Sequence, residues 1–213
     1  PETLGSVMRG LVLSGAAISL YGDSRPASGA EHHMSHYWET ILEQRGIRPA
    51  MHGEQVAVGT VLVLMLIEEL LKENIDFDAA RESARTYDAA AWEREIRAHY
   101  GAAADEVIAL EQKAGKNDVE GRLARINSMQ RSWDAVRAQL ETLPDSSSVR
   151  ALLRDIGCPC TPADIGVDDE LLMDTFRYCK EIRARYTVFQ TVYDLGLTDK
   201  LAARVIEKAN CAD

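Results

Sequence analysis

His52-Gly-Glu-Gln-Val-Ala-Val-Gly-Thr-Val-Leu-Val-Leu-Met-Leu-Ile-Glu-Glu-Leu-Leu-Lys-Glu-Asn74 is helical in pattern and apolar on most of its sides. Its longest apolar run, Val56 to Ile67, ends at Glu68-Glu69. A membrane span needs roughly twenty such residues. A helix buried at the centre of a soluble core is therefore expected.

The surrounding chain supports that reading. Its 213 residues suffice for one good-sized core, with 46% hydrophobic, 27% charged and 6% aromatic residues. Ala, Leu, Glu and Arg are plentiful, a balance that favours helix over sheet. No β-like alternation is sustained, and no fixed-period repeat or low-complexity linker occurs. The expectation is an all-α, multi-helix bundle of nine to eleven helices, folded as a single domain over residues 1–213.

On the N-terminal side, Leu4 to Leu20 has helical spacing, with Gly10 and Gly15 suggesting close packing. Tyr21 to Gly29 carries turn residues, and Ser28 with Glu31 suggests a capping box for a helix over Gly29 to Glu43. Beyond Asn74, one or two amphipathic helices are expected over Asp76 to Gly101, with Trp92, Ile96 and Tyr100 on one stripe. Helices are then expected over Ala103 to Ala114, Val119 to Leu143 and Val149 to Ile156. A single turn after Thr161-Pro162 precedes helices over Glu170 to Arg183, Thr187 to Leu195 and Thr198 to Ala209.

The net charge of −10 argues against a nucleic-acid partner, which needs clustered Lys and Arg. Neither a targeting sequence nor a membrane partner is read from the chain. Cys158, Cys160, Cys179 and Cys211 are too sparse for a disulfide scaffold and are expected as reduced thiols in the cytoplasm. Cys158-Pro-Cys160 lacks the spacing of a zinc pair. The chain opens at Pro1 and enters a helical pattern within four residues, which is expected of a piece of a larger protein.

Four histidines, His32, His33, His36 and His52, lie within a short window. His32 and His36 share one helix face, and His52 opens the next helix. Imidazoles from two neighbouring helices can share a divalent ion, with zinc, nickel or ferrous iron the suitable cations. Glu31 and Glu54 are candidate ligands or acceptors behind the rings. By spacing alone, histidines that merely bond backbone carbonyls would produce the same pattern.

The run Gly22-Asp-Ser-Arg-Pro-Ala-Ser-Gly-Ala-Glu-His-His-Met-Ser-His36, followed by His52-Gly-Glu-Gln-Val-Ala-Val-Gly-Thr60, resembles the sn-glycerol-1-phosphate dehydrogenases. These belong to the superfamily of iron-containing alcohol dehydrogenases, glycerol dehydrogenase and dehydroquinate synthase. Arg183-Ala-Arg-Tyr-Thr187 and Asp194-Leu-Gly-Leu197 are similar to the family's C-terminal helices. The resemblance implies that His32 and His52 bind the metal and that His36 lies at the substrate and acts in catalysis, with His33 a bystander. It implies zinc or nickel ahead of iron, NAD(P) as cofactor, and a phosphorylated triol or ketone as substrate. The family chemistry would be reduction of dihydroxyacetone phosphate to glycerol 1-phosphate.

The family's third metal ligand and its Gly-rich nucleotide loop lie in an N-terminal dinucleotide-binding domain that this chain does not show. The chain therefore resembles the C-terminal helical half alone. It is expected to be inactive by itself, to hold metal weakly, and to expose apolar surface that can form a homodimer. Arg25 is a candidate phosphate partner, weighed below a loop salt bridge. The alternatives are the helical half of a glycerol dehydrogenase or dehydroquinate synthase, and a non-catalytic helical interaction module.

Overall fold

The computed structural model describes residues 2–210. Eleven α-helices run in chain order: α1 Glu2–Tyr21, α2 Ala30–Gln44, α3 His52–Leu71, α4 Phe77–Arg85, α5 Ala89–Tyr100, α6 Ala104–Ala114, α7 Val119–Leu140, α8 Ser146–Asp155, α9 Asp169–Tyr178, α10 Val188–Asp194 and α11 Thr198–Asn210. Short 3-10 turns lie at Arg25–Ala27, Gly101–Ala103, Ala163–Ile165 and Cys179–Ile182. No strand occurs among the described residues, and the expected all-α bundle is borne out.

α3 is the axis of the core. Val58, Val61, Leu62, Leu66 and Leu70 are buried, and α2, α8 and α11 pack round them. α2 supplies Met34, Tyr37, Trp38, Ile41 and Leu42, and Trp38 donates from Nε1 to Thr175 Oγ1 of α9 at 2.8 Å. Burying large side chains of this kind stabilises a fold by about 1.5–3 kcal/mol each. At the end of α6, Gly115 takes the left-handed conformation (φ 58°), and its N–H closes the helix on the Glu111 carbonyl.

Several boundaries differ from the sequence-based expectation for identifiable reasons. Ser28 does not cap α2. Gly29 occupies that position with no side-chain cap, and the Ser28 carbonyl instead accepts from Arg185 Nη1 at 2.9 Å. The helix expected to reach Arg183 stops at Tyr178 and tightens into a 3-10 turn. That turn places Lys180 and Glu181 in a buried ionic cluster with Lys116 and Asn117, where the Lys180 ammonium and the Glu181 carboxylate pair directly. Burial raises the Glu181 carboxyl, but the Lys180 and Lys116 ammonium groups outweigh it and bring it down to about 2.

The expectation of close packing at Gly10 and Gly15 is not met. Both face open space, and no described side chain of α1 is buried. Leu4, Leu11, Val12, Leu13 and Leu20 are all exposed. By length and composition alone, Thr3–Tyr21 is the one described helix long and apolar enough to cross a membrane, a test that the core helix of a soluble protein or a signal sequence also passes. Cys158, Cys160 and Cys179 are free thiols, whereas Cys211 lies outside the described residues.

Candidate functional site

α2 and α3 lie side by side and run in opposite directions. His52, the first residue of α3, meets Glu39, and Gly59, two turns on, lies against Glu31 near the start of α2. A Cβ on Gly59 would come within 3.0 Å of the Glu31 carbonyl oxygen, so this glycine sets how closely the helices approach. His32, His36 and Glu39 fall on one face of α2 at i, i+4 and i+7. The opposite face is buried in the core.

Three imidazoles converge here. Ring centroids are 5.3 Å apart for His32 and His52, 5.4 Å for His36 and His52, and 6.3 Å for His32 and His36. Each ring is held at Nδ1 by a carboxylate. Glu31 Oε1 lies 2.7 Å from His32, Glu39 Oε2 lies 3.0 Å from His36, and Glu39 Oε1 lies 2.9 Å from His52. An ionised carboxylate can only accept, so each Nδ1 carries the proton and a neutral ring keeps its lone pair on Nε2. Ser35 Oγ, 3.0 Å from His52 Nδ1, adds a second contact, and its hydroxyl donates to Gln55 Oε1 at 3.4 Å.

Both carboxyls are tuned by these contacts. Partial burial raises the Glu31 carboxyl, but the hydrogen bonds from His32 and from backbone N–H groups bring it below the usual range. Glu39 follows the same pattern, with burial outweighed by hydrogen bonds from His52 and His36. Both are therefore ionised at neutral pH. Glu31 also accepts the Gly29 N–H at 2.9 Å, so capping and ring orientation coexist in one side chain.

Glu54 has a different role. Its carboxylate accepts the Met51 N–H at 2.9 Å and closes the first turn of α3. Arg25 bonds Tyr21 and Asp23 in an exposed loop and so behaves as the loop salt bridge. His33 points away from the cluster, fully buried, with neither ring nitrogen hydrogen-bonded. Burial, reinforced by the charges of Lys116, Arg185 and Arg183, pushes it down to about 4.

The residue missed by sequence reasoning is Glu39. With one donor atom each, His36, Glu39 and His52 lie within 4.8 Å of one another, a spacing that suits a shared cation. The signal was present as His32-x-x-x-His36-x-x-Glu39, one turn beyond the histidine pair. The cluster is open to solvent, with side-chain exposures of 21% for His32, 29% for His36 and 46% for His52. A cavity of 620 Å³ lined by Trp92, Arg122, Lys180 and Tyr193 and another of 320 Å³ beside Tyr186 include none of the four histidines.

Of the two C-terminal motifs, the first reaches this region. Arg185 bonds the Ser28 carbonyl and Ser24 Oγ, both at 2.9 Å, and so ties the loop before α2 to the far end of the chain. Asp194, fully buried, takes a two-point contact from Arg125 at 2.7 and 3.0 Å and anchors α10 against α7.

The fold and the cluster together define an all-α domain carrying a carboxylate-held trio of imidazoles. Its curated homologues are glycerol-1-phosphate dehydrogenases. The chain is 28% identical over 178 residues to the glycerol-1-phosphate dehydrogenase [NAD(P)+] of Halalkalibacterium halodurans, covering 84% of this chain and 35% of that protein. For the enzyme of the same name from Geobacillus stearothermophilus the values are 25% over 190 residues, 89% and 38%. A shorter match to the Pyrococcus furiosus enzyme is 46% identical over 65 residues, covering 30% of this chain and 18% of that protein. The resemblance read from the two histidine motifs is thereby borne out. The chain spans little more than a third of the length of the first two relatives. No family model matches it, and no solved structure matches it.

Proposed function

We propose that the chain is the helical metal- and substrate-binding part of an NAD(P)-dependent glycerol-1-phosphate dehydrogenase that reduces dihydroxyacetone phosphate. The observation that carries this reading is the pattern of carboxylate contacts on the rings. Three clustered rings each have Nδ1 held by a carboxylate, which leaves Nε2 as the free donor atom. This is the arrangement expected of metal-binding histidines, and the donor set fits zinc or nickel.

In this reading His32 and His52 hold the ion and His36 faces the substrate. A bound divalent ion supplies Lewis-acid polarisation of a carbonyl oxygen. The proton for the product hydroxyl would come from Nε2 of His36 in its imidazolium form, with Glu39 holding the Nδ1 proton and the ring returning to the neutral state with Nε2 bare. Among the described residues there is no strand, so they offer no strand–turn–helix site for a dinucleotide. Nucleotide binding and the third metal ligand would fall to a further domain, and the chain alone would lack dehydrogenase activity. The exposed apolar surface of α1 supports a contact with another domain or a second copy.

Calorimetric titration of the chain with zinc tests the reading. Weak binding, micromolar or poorer, is expected, because two imidazoles act without their carboxylate partner ligand. His32→Ala and His52→Ala should each reduce it by about 10-fold or more. Variants that bind zinc as the unaltered chain does would overturn the assignment.

A further inference from the structure

We propose that Glu39 is a positioning residue that sets the tautomer and aim of His36 and His52 together, so that the substrate-facing ring and the metal-facing ring are held by one carboxylate. The inference deepens the metal- and substrate-site reading above and rests on it for its consequences, although the ring geometry stands without it.

Glu39 assigns one oxygen to each ring: Oε2 takes the His36 Nδ1 proton at 3.0 Å, and Oε1 takes the His52 Nδ1 proton at 2.9 Å. His36 lies one turn away on α2, whereas His52 comes from α3, thirteen residues along the chain. The carboxylate therefore bridges two helices as well as two side chains. Each of its two oxygens accepts from one ring N–H, and so it orients both rings. His32 is independent of this arrangement because Glu31 holds it at 2.7 Å.

That independence provides an internal control. Neutral imidazole has no fixed tautomer unless a partner selects one. Glu39→Ala removes the acceptor for His36 altogether and leaves His52 with Ser35 alone. Glu39→Gln keeps the size but offers one acceptor and one donor, so one of the two rings must present a lone pair at Nδ1 and carry its proton at Nε2.

Ring-nitrogen NMR on the metal-free chain reads this directly. In the unaltered chain His32, His36 and His52 should all show protonated Nδ1 and unprotonated Nε2. In Glu39→Ala, His36 should move to a mixture of tautomers and His52 should shift towards one, with His32 unchanged. In Glu39→Gln one of the pair should invert. Zinc affinity should fall by about 10- to 100-fold in Glu39→Ala, the usual effect of removing an acceptor behind a metal-binding histidine. Unchanged His36 and His52 tautomers in Glu39→Ala would overturn the proposal, as would altered tautomers with zinc affinity retained. Absence of zinc binding to the unaltered chain would instead count against the metal-site reading, and the tautomers would still report on Glu39 alone.

Discussion

At the scale of single residues, the histidine window separates by environment. His32, His36 and His52 sit at the surface with a carboxylate behind each, whereas His33, next in sequence to His32, is buried without a hydrogen bond. The alternation follows from helix geometry, since neighbouring positions on α2 point about 100° apart and only one of the two can face the core. Burial holds His33 neutral, down to about 4 from the ordinary value of 6.5. The sign of the consequence follows from linkage. Below pH 6.5 the unfolded chain takes up a proton at this position that the folded chain refuses, so stability should fall as pH drops from 6.5 towards 4. The His33 ring signals in NMR should stay at their neutral positions down to about pH 5; titration with an ordinary midpoint would refute this. Of the clustered residues, the three converging rings were legible from spacing and motif. Glu39 was not, because a glutamate one turn on reads as solvated surface until α3 brings His52 against it.

At the scale of elements, the site depends on how closely α2 and α3 approach. The period of apolar residues revealed both helices, and the expected range for α2 was right to within a residue at each end. What the pattern did not show was the contact at Gly59, since a glycine inside a helix gives no sign of what lies opposite. Gly59→Ala would place a Cβ 3.0 Å from the Glu31 carbonyl, a backbone atom that cannot swing aside. The helices should be forced apart at a cost of about 1–3 kcal/mol in a denaturant titration. Because Glu31 orients His32, that ring's tautomer should be disturbed as well. A variant with unaltered stability would mean that the helices slide freely at this point. The early stop of α9 has a different cause: the Lys180–Glu181 pair turns inward to meet Lys116, a long-range contact outside the reach of local periodicity.

At the scale of the whole molecule, the all-α class was legible from composition and the absence of alternation, and the helix count fell within the expected range. The exception is α1, where regular spacing of apolar and small residues suggested packing and the structure shows an exposed helix. Pattern alone reports that a face is apolar, whereas the partner that covers it belongs to tertiary or quaternary structure. Its exposure supports the proposed contact with another domain or a second copy. Following the ring-nitrogen signals of all five histidines by NMR while zinc is added shows whether three imidazoles meet with their Nε2 atoms free. His32 and His52 should respond first at Nε2, while buried His33 and His99, paired with Asp174 and stacked on Tyr178, stay unmoved. A response spread evenly over the histidines, or none at His32 and His52, would contradict that arrangement.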